Sequence, residues 1–212
     1  MKYLLIAIMM VGTLTLNAQT RPTQTQQRTA TKTTATKAKT TTQATTAKTF
    51  TLTNGKLGPV QVGKKFANIP ATYSGLYDKY TYKKIEHTSE MEDDWTEEYY
   101  QFTKGGKNVF RADVYEDKTI HAITLQEGSA NIVKTQEGFY VGYPARTLFT
   151  KKKMQWDTYF EGTVFATSGN YTYHVNYSDI GNTDIPTRAN DFKSNAKVCM
   201  ISYSERSESD YY

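Results

Sequence analysis

Leu52-Thr53-Asn54-Gly55-Lys56-Leu57-Gly58-Pro59-Val60-Gln61-Val62-Gly63 is echoed later in the chain by Ile132-Val133-Lys134-Thr135-Gln136-Glu137-Gly138-Phe139-Tyr140-Val141-Gly142. Both stretches end in Val-Gly, and Gly63 and Gly142 lie 79 positions apart. At +3 and +6 from each glycine stand apolar residues, Phe66 and Ile69 in the first copy and Ala145 and Leu148 in the second. That spacing predicts a short helical segment after each glycine.

Working outward, three runs follow each segment with the alternation and β-branched or aromatic content of antiparallel strands. In the first half these are residues 98–103, 108–116 and 119–126; in the second, 158–167, 170–177 and 197–204. Lys104-Gly105-Gly106-Lys107, Asp117-Lys118 and Ser168-Gly169 have the composition of hairpin turns. The expected fold class is α+β and β-dominated: two repeats, 52–129 and 130–204, each a short helix plus a three-to-four-stranded antiparallel meander. Such agreement of local signals along both halves is what one global plan produces.

A Val-Gly opening, a short helical segment and a three-strand meander, written twice, resembles the tandem-repeat architecture of β-lactamase inhibitory proteins. It is also similar to the single-repeat lipoproteins of the outer-membrane assembly machinery. The resemblance covers most of Leu52 to Ser204 and implies architecture rather than function. The chain departs from the inhibitor pattern in having no paired cysteines, since Cys199 is its sole cysteine.

Upstream of this β-rich domain, 50–212, the composition changes twice. Met1-Lys2 and the apolar run Tyr3 to Val11 have the form of a signal peptide over 1–18, with a cleavage site after Ala18 in Leu16-Asn17-Ala18-Gln19. That junction resembles signal-peptide ends of Bacteroides-type bacteria. The apolar run is shorter than the ~20 residues a membrane span needs, and no cysteine follows it to carry a lipid. The expected location is periplasmic or secreted, without a stable membrane anchor. Residues 19–49 are built from Thr, Ala, Gln, Lys, Arg and one proline until Phe50, a composition that cannot bury enough apolar surface to order itself. A disordered tether is expected there, serving as a spacer or as a loose contact to anionic envelope polymers.

Charge narrows the function further. Seven of the 26 basic residues and no acidic ones lie in 1–49, leaving 19 basic against 21 acidic in the domain. The pI near 9.0 therefore describes the extension, and a nucleic-acid partner is not expected. His87, His121 and His174 stand singly, without the spacing of a metal site; none of the three is assigned a metal or cofactor, and no catalytic constellation emerges. His121 and His174 read as ordinary residues of a polar strand face. The run Glu90 to Glu98 is acid-dense but lacks the spacing of a calcium loop, so it reads as a solvated loop or an electrostatic partner for the chain's own Lys-rich tether. Cys199, in an apolar run, reads as a small buried hydrophobe.

Sixteen of the 17 tyrosines fall in the domain. Tyrosine suits either a core face whose hydroxyls are satisfied at its rim or a recognition surface. Period-2 alternation puts Tyr171, Tyr173, Val175 and Tyr177 on one face of their run. In 108–116 it makes Phe110, Ala112 and Val114 core and turns Arg111, Asp113 and Tyr115 outward. Arg111 and Tyr115 are the candidate binding residues, because Arg and Tyr most often become interface hot spots. The expected function is non-catalytic binding of an envelope or extracellular protein, peptide or glycan. The alternatives are a hydrolase of cell-wall or other glycans and a structural accessory of outer-membrane assembly.

Overall fold

The computed structural model describes residues 48–88, 95–152, 154–159, 162–181 and 183–205. The expected signal peptide, the tether up to residue 47 and the acidic residues 90–94 lie outside them. Among the described residues no helix is long and apolar enough to cross a membrane.

Among the described residues, twelve strands and one α-helix make up the regular structure. β1 (Phe50–Leu52), β2 (Lys56–Leu57) and β3 (Val60–Gln61) are followed by four long strands: β4 (Lys79–His87), β5 (Trp95–Lys104), β6 (Lys107–Val114) and β7 (Ile120–Leu125). β8 (Val133–Thr135) then precedes α1 (Ala145–Lys151) and four more strands: β9 (Trp156–Tyr159), β10 (Thr163–Ser168), β11 (Tyr171–Asn176) and β12 (Val198–Ser204). The two sets of four form one antiparallel sheet in the order β4-β5-β6-β7-β12-β11-β10-β9, joined where Ile201 faces Leu125 and Tyr203 faces Ile123. Below it β1 and β8 pair in parallel, Leu52 opposite Thr135.

The two motif glycines sit in matching surroundings. Gly63 donates its N–H to the Ile120 carbonyl (2.8 Å) and Ile120 donates back to Lys64 (2.9 Å); Gly142 donates to Val198 (2.7 Å) and Val198 donates back to Tyr143 (2.9 Å). Ile120 and Val198 are the first residues of β7 and β12. Both glycines adopt positive φ, 76° and 96°, where a side chain is strained.

Three local expectations need correction. After Gly63 no helix forms: Asn68 takes a left-handed φ of 59°, and Ile69 precedes Pro70, which disfavours helical backbone at Ile69. Phe66 and Ile69 still pack on the core, but from an irregular segment. The run 158–167 is two strands, β9 and β10, with Gly162 at φ 73° directly before β10. β4, which has exposed residues on both faces and so shows no hydrophobic alternation, completes four strands in the first half.

One face of the sheet is the core face. Phe102 and Phe110 stack there at 4.1 Å, both fully buried, each such side chain contributing about 1.5–3 kcal/mol. Ala112, Ile123, Leu125, Ile201, Tyr173, Val175, Val164 and Ala166 continue it across the strands. β1, β8, α1 and the segment 64–78 pack against this face. Tyr171 belongs to it too, donating its hydroxyl to the Leu52 carbonyl (2.8 Å), so the tyrosines of β11 are core, with Tyr171 satisfied at the rim. Tyr177 has left the strand; it is exposed and donates to Asp184 (2.7 Å).

Candidate functional site

Pleating sends the alternate residues to the opposite, outer face. Cross-strand register there aligns Ile85 with Glu97 and His87 with Trp95 on β4 and β5, Tyr99 with Asp113 and Gln101 with Arg111 on β5 and β6, and Arg111 with Thr124 on β6 and β7. Thr124 in turn faces Ser202 of β12.

A polar chain runs across these strands. His87 Nε2 lies 3.7 Å from Glu97 Oε2, and Glu97 Oε1 lies 2.6 Å from Arg111 Nη1. Arg111 Nε lies 3.0 Å from Asp113 Oδ1, close enough for an ion pair but outside hydrogen-bond geometry. Thr124 Oγ1 donates weakly to Asp113 Oδ2 (3.4 Å) and stands 3.1 Å from the Ser202 hydroxyl. The Arg111 guanidinium also lies over the Tyr99 ring, 5.0 Å from its centroid, a favourable place for a cation.

Two exposed aromatic side chains stand near this chain. Trp95, 50% exposed, stacks on His87 with ring centres 4.6 Å apart. Tyr115, 60% exposed, stacks on His121 at 4.5 Å. Burial, and secondarily the nearby Arg111 charge, lowers the His121 pKa. Ile85 adds a third exposed apolar side chain on the same face.

The electrostatics are uneven. Burial pushes the Asp113 carboxyl up to about 6, with Arg111 opposing the rise and Glu97 adding to it. On β11, His174 is buried rather than an ordinary polar-face residue, and burial lowers its pKa to about 4. Phe165 and Met200 stand opposite it in the register and shield it from water. Cys199 is half-buried, donates to the His174 carbonyl (3.3 Å), and has its thiol pKa raised by burial.

Of the two residues singled out in the sequence, Tyr115 is openly displayed, whereas Arg111 is already engaged by Glu97, Asp113 and Tyr99. Sequence reading missed Ile85, His87, Trp95 and Glu97. The available signal was the alternation Trp95, Glu97, Tyr99, Gln101, hidden because Trp95 to Glu98 was read as the end of an acidic loop. Among the described residues no three His, Cys, Asp or Glu side chains converge as metal ligands would. A depression of about 430 Å³ lies elsewhere, beside β1 and the β2–β3 hairpin, lined by Thr51, Asn54, Lys56 and Gln61 among others.

No protein-family model matches the chain, and no curated protein matches it. Among solved structures it is similar to the uncharacterized protein yfeY from Escherichia coli, at 16% identity and a TM-score of 0.45, over 74% of this chain and 99% of that one.

Proposed function

We propose that the chain is a non-catalytic binding protein acting outside the cytoplasm, delivered there by the N-terminal signal sequence. Its partner, a protein, peptide or glycan, meets the outer face of the first four long strands. The observation that carries this reading is the grouping of Trp95, Tyr115 and Ile85, three exposed apolar side chains, with an Arg–carboxylate chain on these strands. Aromatic anchors beside a fixed Arg are the composition of interface hot spots. A hydrolase would need two carboxylates facing a substrate; here Glu97 and Asp113 both face Arg111, and Asp113 is only 7% exposed.

The test is capture from envelope extract by the purified domain, compared with the Trp95→Ala/Tyr115→Ala double variant. Loss of a specific partner in the variant, with unchanged thermal unfolding, supports the site. Equal capture by both proteins moves the site elsewhere, and turnover of a glycan by the domain replaces binding with catalysis.

A further inference from the structure

The sheet ends on two unlike edges. β9 is four residues long, whereas β4 is nine, and β4 pairs only with β5 among the described residues. Its outer rim therefore offers a row of backbone N–H and C=O groups, the template on which an extended chain can add as a further strand. Long edges of this kind are commonly blunted by proline, a bulge, an overlying loop or charged side chains, lysine above all, which repel like-charged strands. β4 has no proline, and its register with β5 runs unbroken from Lys79↔Thr103 to His87↔Trp95.

Charge selects what such a strand must be. β4 carries Lys79, Lys83 and Lys84 against Glu86 alone, and Glu86 is already 3.5 Å from Lys84. The neighbouring acids of β5 are occupied, Glu97 by Arg111 and Glu98 by Lys118. Lys79 and Lys83 are exposed, point to the same face, and have no ion-pair partner among the described residues. A second copy of this chain would set three lysines against three. An acidic strand instead finds two cations with no ion-pair partner among the described residues on one face and the exposed ring of Tyr82 on the other.

We propose that the β4 edge is a second binding site, independent of the outer-face site, that captures an extended acidic peptide by antiparallel or parallel strand addition. Acidic residues of the peptide lie beside Lys79 and Lys83, and apolar ones, on the opposite face, beside Tyr82. Main-chain hydrogen bonds supply affinity, and the lysines set the sign of the ligand.

A peptide as long as β4 that alternates glutamate and valine, labelled for fluorescence anisotropy, is the probe, with a lysine–valine peptide as control. Two further probes carry N-methyl groups on alternate amides, one set in each phase. The glutamate peptide should bind and the lysine peptide should not. One N-methylated phase should bind as before, and the other should lose about tenfold or more, because only one set of amides faces β4. Lys79→Glu/Lys83→Glu should abolish binding without changing the unfolding midpoint, whereas Trp95→Ala/Tyr115→Ala should leave it intact. No binding, binding of both charge types, equal effects of the two N-methyl phases, or a dimer of the protein that buries β4 would each overturn the proposal.

Discussion

Asp113 Oδ1 lies 3.0 Å from Arg111 Nε, yet only 7% of Asp113 reaches solvent. The nearby cation favours the carboxylate, burial disfavours it, and burial wins, leaving the pKa at about 6. Between the ordinary value of 3.8 and about 6, the folded state keeps a proton that the unfolded chain has released. This contribution to stability is complete below pH 3.8 and is lost as pH rises through 6. Asp113→Asn keeps the shape and removes the titration. The stability of the natural protein minus that of the variant should therefore fall by about 2–3 kcal/mol between roughly pH 4 and pH 8. Urea unfolding at both pH values measures it, and a difference that stays constant would show that Asp113 is not desolvated in this way.

Arg111 and Tyr115 should behave differently when truncated. Tyr115→Ala removes an exposed ring and should change stability by less than about 0.5 kcal/mol. Arg111→Ala strands Glu97 and Asp113 and should cost about 1–3 kcal/mol. Because Asp113 is largely protonated near pH 5, the Arg111→Ala cost should be smaller there than at about pH 8. Thermal unfolding of both variants at the two pH values separates them; a large loss for Tyr115→Ala would mean that its ring is structural.

Gly63→Ala and Gly142→Ala should have similar effects. Both positions have positive φ and both bond the first residue of a closing strand, so each variant should lose roughly 1 kcal/mol through backbone strain. Neither site is crowded, since an added Cβ would meet only Glu205 at Gly63 and nothing within 4 Å at Gly142. Denaturant midpoints that move for one glycine alone would break the equivalence of the two turns.

Export can be checked by intact mass. Protein recovered from outside the cytoplasm of the producing cell should begin at Gln19, having lost residues 1–18. Retention of Met1 to Ala18 would remove the export step from the proposed function.

What was legible in the sequence was whatever local chemistry dictates. Gly105-Gly106 takes positive φ at both positions and joins β5 to β6 where the composition placed a turn. Phe110, Ala112 and Val114 face the core because alternation survives to Val114 despite the register shift at Asp113/Val114. Less legible was anything set by neighbours distant in sequence. Nothing local told that Phe66 would reach the core without a helix, stacking on Tyr100 from an irregular segment. His174 looked like a polar-face residue, and its burial depends on Phe165 and Met200, which arrive from other strands. The outer-face site shared this difficulty. Arg111 and Tyr115 were visible as types, but Trp95 and His87 meet only because β4 and β5 pair, which the acid-dense run Glu90 to Glu98 did not signal.

The two four-strand units are held together twice, by β1 against β8 and by β7 against β12. Neither clasp is local: Leu52 waits for Thr135, and Ile123 waits for Tyr203. Contacts so distant along the chain must overcome loop-closure entropy before they return any stability, which slows folding relative to a chain of nearby hairpins. A ribosome or translocation channel releasing this protein would have to deliver β12, nearly the last of the described chain, before the first half gains its sheet neighbour. The first half thus keeps an open sheet edge until β12 has emerged.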